Sequence, residues 1–241
     1  MSEYGVLVNG EFSEREISQF KAKGFSEPIW CRDNTYDQYV AKEINRSYGQ
    51  LRVEGKVVLD VGANIGGFTC WALQRKPVRV ISLEPEVNNF AMLQLNMSPY
   101  SADEVYPYHL YNAALHSHRD DEGVLYLSPT GKNPGNSSTT ERRGRIEVPI
   151  KYMSVSELKR QHPEIHVAKI DCEGAEYEFI QSLIGAYPSI EQVALEIHIN
   201  GFGLDQAEEL HSFMLSEGFE AEVPPRLQDN LWQTLAMYRR A

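Results

Sequence analysis

The sequence predicts an α/β fold: a doubly wound, mostly parallel seven-stranded sheet with a late antiparallel hairpin strand. A helical N-terminal extension over residues 1–51 is expected to precede a domain spanning 52–241. Three observations carry this reading. From Lys56 onward, short apolar runs alternate with amphipathic segments, the rhythm of repeated strand–helix units. The run Val57-Val58-Leu59-Asp60-Val61 passes directly into the turn Gly62-Ala63-Asn64-Ile65-Gly66-Gly67, the order of a buried parallel strand, a tight turn and a helix start. Near the end, the strand-like runs 220–223 and 234–238 are separated by a turn containing Pro224-Pro225, which suits a hairpin at a sheet edge.

Each element follows from local signals. Ser13-Glu14-Arg15-Glu16 reads as a helix start, and residues 37–48 place apolar side chains at helical spacing. After the first strand a helix is expected over 67–75, closed by Lys76-Pro77. A second strand covers 80–83 and a second helix 87–97, stopped by Ser98-Pro99. A third strand fits 105–111. Residues 123–127 and 146–150 read as two further strands. The segment 128–140 between them, rich in Gly, Pro, Ser, Thr and Asn, reads as a long loop. Ser154-Val155-Ser156-Glu157 has the spacing of a capping box. Strands at 167–170 and 192–199, with helices at 175–184 and 205–216, complete the alternation. Gly218 marks the end of the last helix.

Composition narrows the function. The net charge of −11 over 241 residues repels nucleic-acid backbones, so no nucleic-acid partner is expected. The basic run Glu141-Arg142-Arg143-Gly144-Arg145 reads as a solvated loop. No apolar run reaches membrane-spanning length and the N-terminus shows no signal peptide, so no membrane partner and a cytoplasmic location are expected. Cys31, Cys70 and Cys172 fit neither a disulfide framework nor a zinc spacing.

The glycine turn and the acidic strand ends point to a cofactor. A dinucleotide turn wants glycine at the position held by Asn64, so that a pyrophosphate can approach the backbone. Asp60, just before the turn, adds a negative charge. These features suit S-adenosylmethionine, which carries no phosphate and bears sulfonium and ammonium cations for Asp60 to attract. Glu84, at the end of the second strand, is spaced to accept hydrogen bonds from two ribose hydroxyls.

The same residues resemble the FkbM family of S-adenosylmethionine-dependent methyltransferases, a class I, Rossmann-like group. The resemblance runs through residues 58–66, Leu83-Glu84-Pro85, Leu95-Asn96, Asn112-Ala113-Ala114-Leu115, residues 169–176 and Leu195-Glu196-Ile197-His198. Trp30 to Asp37 looks like the segment that precedes the fold in this family. Residues 169–176 are the most specific part, with Cys172 where the family often has Val. The resemblance implies a cofactor pocket lined by Asp60, Gly62, Ala63, Asn64, Gly66, Glu84 and Pro85. It places Asn112 and Ala113 at the adenine edge, Asp171 beside the methyl group, and Tyr36-Asp37 over the cofactor. It implies O-methylation of a small-molecule acceptor such as a sugar or a polyketide-type product.

Methyl transfer to oxygen needs the acceptor about 3 Å from the methyl carbon, in line with the leaving sulfur, and benefits from a base. The candidates are Asp171, Glu173, Glu196 and His198, since strand ends face the ligand crevice in such sheets. Asp171 is read as the orienting group, with helix capping as its structural alternative. His198 is read as the general base because its ordinary pKa lies near working pH, against a structural histidine. Glu173 stands beside them, and Glu176 is read as complementing a helix dipole. No metal is assigned, because no Asp-Asn pair follows at the next strand end. Tyr36-Asp37 and the loop 128–140, with Asn136-Ser137-Ser138, are expected to close over the substrate. A homodimer is the expectation for self-association. Two other readings stay open: a nicotinamide-dependent oxidoreductase, opposed by Asn64 and Asp60, and a catalytically silent cofactor-binding module on the same fold.

Overall fold

A computed structural model describes residues 4–100, 108–132, 137–139, 145–228 and 231–240. The chain opens with β1 (Gly5–Val8), β2 (Glu11–Glu14), β3 (Ile17–Phe20) and β4 (Ile29–Arg32), followed by α1 (Asp37–Tyr48). The expected helical extension is therefore mainly two hairpins, β1–β2 and β3–β4, ahead of one helix. Ser13 and Glu14 lie on a strand and start no helix. The reason is local: Asn9 and Gly10 both take positive φ, 49° and 87°, between Val8 and its register partner Glu11. That is the two-residue turn whose twist matches paired strands.

The main sheet takes β5 (Val57–Val61), β6 (Arg79–Leu83), β7 (Tyr108–Tyr111), β12 (Val167–Ile170), β13 (Gln192–His198), β14 (Phe219–Val223) and β15 (Gln233–Arg240). Its order is β14-β15-β13-β12-β5-β6-β7, parallel except for β15, which runs antiparallel to β13 and β14. The start expected for the third strand, at 105, lies outside the described residues. A smaller sheet combines β8 (Ala114–His116), β9 (Glu122–Leu127), β10 (Ser137–Ser138) and β11 (Ile146–Ser154) in the order β10-β9-β11-β8.

Helices cover both faces. α1, α2 (Gly67–Leu73) and α3 (Val87–Met97) share one core; α4 (Val155–Gln161), α5 (Glu176–Ala186) and α6 (Leu204–Ser216) share the other. All five residues of β5 are buried, with Val58 in the first core and Leu59 in the second. This is why its sequence is continuously apolar apart from Asp60. Trp71 and Phe68 on α2, and Phe179 and Leu183 on α5, are fully covered, each contributing about 1.5–3 kcal/mol through burial. The hairpins belong to the same body, since Ile29 and Cys31 of β4 and Ala41 and Ile44 of α1 join the core of α2 and α3. Ser154 accepts from the Glu157 N–H at 3.0 Å and caps α4. Among the described residues, no helix is long and apolar enough to cross a membrane.

Candidate active site

The parallel strands β5, β6, β12 and β13 end on one side of the sheet, and a cavity of about 620 Å³ opens there. One end is built by the β5–α2 turn. Gly62 takes φ +75°, and a Cβ there would collide with the Asp171 carbonyl, so the turn needs glycine to let β5 and β12 approach. Asn64 is also left-handed, at φ 52°, which Asn tolerates better than most residues. Its N–H donates to Glu84 Oε2 at 2.8 Å, while its side-chain Oδ1 is buried with no hydrogen-bond partner. Glu84 also accepts from the Glu86 N–H at 2.9 Å. Burial pushes the Glu84 carboxyl up to about 7 against the pull of these donors. Pro85 and Ala113 continue the wall.

Several residues expected to line the pocket stand behind it. Asp60 is fully buried. Thr69 donates to its Oδ2 at 2.7 Å, and Lys169 Nζ lies 3.2 Å from its Oδ1. Ser82, Asp60 and Lys169 are register neighbours on β6, β5 and β12, so a polar row crosses the sheet interior. Asp60 therefore balances Lys169 inside the sheet, behind the cavity lining. Asp37 forms a buried ion pair with Arg32 at 2.8 Å and holds the start of α1, while its neighbour Tyr36 is half exposed at the cavity mouth. Gly66 packs against Leu93. Asn112 donates to the carbonyls of Glu84 and Pro85 at 2.9 and 3.0 Å, fixing the β6 end from outside the lining.

The other end of the cavity is charged. Asp171, Glu173, Glu196 and Lys169 line it together with Tyr48. Tyr48 donates to Asp171 Oδ2 at 3.3 Å, and Lys169 Nζ lies 3.9 Å from the same oxygen. Burial alone would raise the Asp171 pKa, yet Lys169 and a hydrogen bond with Glu196 hold it below the usual carboxylate range. Burial and the Asp171 charge push Glu196 well above that range. The two carboxyls are thus pushed in opposite directions, Asp171 toward its ionised form and Glu196 toward its neutral form. Asp171 is no helix cap, because α5 is preceded by Ala175 without a side-chain cap.

His198 stands elsewhere than the sequence reading expects. Its side chain is 1 % exposed and stands behind the lining. Glu176 Oε1 accepts from its backbone N–H at 2.9 Å and lies 3.0 Å from its Nδ1. Burial opposes the charge, but Glu176 and Glu173 outweigh it and lift the imidazole to about 9. Held by two carboxylates behind the lining, His198 fits the structural alternative better than the base. Glu176 in turn accepts from the Gly174 N–H at 2.9 Å, which fixes the turn carrying Glu173. Sequence reasoning missed Lys169 and Tyr48. The signal for Lys169 was a lone charge inside the apolar strand Val167–Ile170; Tyr48 offered none beyond its place on α1.

The expected lid is partly described. Ser137 and Thr139 line the cavity. Ser138 donates to the Glu173 carbonyl at 2.9 Å, and the Tyr36 N–H donates to the Lys132 carbonyl at 2.9 Å. Asn136 and the segment Glu141-Arg142-Arg143-Gly144 lie outside the described residues.

A seven-stranded, mostly parallel sheet with a glycine turn and an acidic second strand end defines a Rossmann-like methyltransferase. A family model for the methyltransferase FkbM domain matches residues 60–221, and the chain belongs to that family. A hexuronic acid methyltransferase, AglP of Haloferax volcanii, is 31% identical over 147 residues, 60% of this chain and 57% of that protein. The match thus spans little more than half of the relative's length. Two solved structures share the fold: M. jannaschii TYW2 in complex with AdoMet and Trm5b from Pyrococcus abyssi. The first is 12% identical, covers 96% of this chain and 90% of that chain, and has a TM-score of 0.51. The second is 11% identical, covers 95% and 57%, and has a TM-score of 0.53.

S-adenosylmethionine is the cofactor of this family, and the cavity fits it. The orphaned Asn64 Oδ1 offers an acceptor, and Glu84 presents a carboxylate whose remaining lone pairs suit ribose hydroxyls.

Proposed function

We propose that this chain methylates an oxygen of a small polar acceptor, such as a sugar or sugar acid. The observation that carries the reading is the division of one cavity into a cofactor end and a charged end, meeting where Gly62 abuts Asp171. In this reading residues 52–241 act as the methyltransferase domain and 1–51 as its cap. Gly62, Ala63, Asn64, Glu84, Pro85 and Ala113 hold S-adenosylmethionine, which supplies an electrophilic methyl group. Asp171, ionised beside Lys169, accepts the hydrogen bond of the acceptor hydroxyl and aims its oxygen. Glu173 borders the same space. Tyr36 and Tyr39, both exposed at the mouth, offer aromatic faces to the apolar side of a sugar ring. The hexuronic acid named for the Haloferax relative and the net charge of −11 both favour a small acceptor over nucleic acid.

The test is release of S-adenosylhomocysteine with a panel of sugars and hexuronic acids, with RNA as the contrast. Turnover on a sugar and none on RNA supports the reading; turnover on RNA alone overturns it.

A further inference from the structure

The charged end of the cavity holds an unusual set of groups for proton chemistry alone. Among the described residues, Asp60 and Asp171 stand against Lys169, Glu173 and Glu176 stand against His198, and Glu196 lies beside Asp171 and His198. We propose that Asp171, Glu196 and His198 bind a first-row divalent cation such as Mn²⁺. This deepens the reading of the same cavity as a methyltransferase site, and rests on it for the use of the ion.

Geometry carries the proposal. One ligand atom from each of the three residues lies within 4.8 Å of the other two. Three donors on one cation with bonds of about 2.2 Å stand about 3–4 Å apart, so donors up to 4.8 Å apart close on the ion by about an ångström through side-chain rotation. The imidazole is already set as a ligand. Its Nδ1 faces Glu176 Oε1 at 3.0 Å, and its Nε2, on a side chain 1 % exposed, makes no hydrogen bond and stands 3.7 Å from Glu173 Oε2. A carboxylate on the far ring nitrogen is the usual outer support of a metal-bound histidine. The two carboxylates are supported as well, since Gln233 donates to Glu196 at 2.7 Å and Tyr48 to Asp171 at 3.3 Å. Asp171 and Glu196 line the cavity while His198 stands behind it, so the open coordination positions face the acceptor. Two carboxylates and one imidazole suit Mn²⁺ and its first-row neighbours better than an all-oxygen calcium site.

The ion would complete the chemistry left open by His198. A hydroxyl on a bound cation releases its proton more readily, here to water at the cavity mouth. The oxygen then bonds the methyl carbon while the carbon–sulfur pair departs with sulfur. Carboxylate and imidazole bind a cation in their deprotonated forms, so binding releases protons. The three ligands come from two adjacent strand ends, a spacing no linear metal motif records.

The full-length protein is titrated with Mn²⁺, following the paramagnetic resonance of the free ion. Calorimetry is run in buffers of different ionisation enthalpy, with S-adenosylhomocysteine titrated separately. A second described cluster, His116, His118 and Glu178, is exposed and supplies the control. One Mn²⁺ site is expected, with proton release, weakened at least about tenfold in Glu196→Gln and His198→Gln and unchanged in His118→Ala. Absence of binding by the wild type, or loss only in His118→Ala, overturns the proposal. If the two core variants fail to fold, the wild-type and His118→Ala titrations decide alone. If S-adenosylhomocysteine binds but Mn²⁺ does not, the metal is rejected and the methyltransferase reading stands; if Mn²⁺ binds but S-adenosylhomocysteine does not, the reverse holds.

Discussion

The two ends of the cavity are built by different physics. At the cofactor end, backbone turns and one carboxylate do the shaping: Gly62 and Asn64 take left-handed φ, and Glu84 is held by N–H donors. At the acceptor end, side-chain charges hold one another: Lys169 between Asp60 and Asp171, His198 between Glu176 and Glu173. The first arrangement tolerates a change of ionisation at a modest cost. The second does not, because each buried charge is balanced by a particular neighbour. Binding and turnover should therefore respond to different substitutions.

The largest effect is expected at Lys169. Lys169→Met leaves Asp60 buried without its cation and should destabilise the fold by about 3–5 kcal/mol, measured by urea denaturation. Adding Asp60→Asn should recover much of that loss. Asp171→Asn should lower turnover by about a hundredfold in a methyl-transfer assay, while cofactor affinity stays near wild type.

A smaller and graded effect is expected from pH. Glu84 is raised from 4.5 to about 7 in the folded protein by burial. The folded state therefore holds a proton that the unfolded chain releases. Its contribution to stability is present below about 4.5 and is lost as pH rises through about 7. Cofactor affinity should move the opposite way, because in the proposed reading the ionised carboxylate accepts both ribose hydroxyls. Below pH 7 it should fall by up to about tenfold per pH unit. Glu84→Gln should flatten both trends, checked by thermal melts and calorimetry across pH. The smallest effect is expected from Tyr48→Phe, which removes one hydrogen bond to Asp171 and should cost about 0.5–1.5 kcal/mol in thermal melts.

The sequence made the sheet legible where one signal dominated. The apolar run 57–61 before Gly62, the Ser154–Glu157 spacing and the Pro224-Pro225 turn each map onto the described elements. The N-terminus was misread because charged residues at 13–16 imitate a helix start, while the decisive Asn9-Gly10 turn lies a few residues upstream. For the site, strand-end position pointed to Asp171, Glu173 and Glu84, which line the cavity. It did not show which way side chains on neighbouring strands point, so Asp60 and His198 were placed on the wall when they stand behind it. It also gave no view of ion pairs across strands, which is where Lys169 and Glu176 act.

The central claim, that cofactor binding and methyl transfer occupy separable ends of one cavity, is tested most directly by calorimetry of S-adenosylhomocysteine on wild type, Glu84→Ala and Asp171→Asn. Loss of hydrogen bonds to a charged group costs about 1.5–3 kcal/mol. Glu84→Ala should therefore bind roughly tenfold to a hundredfold more weakly, with Asp171→Asn binding like wild type. Unchanged affinity in Glu84→Ala, or an equal loss in both variants, would contradict the account.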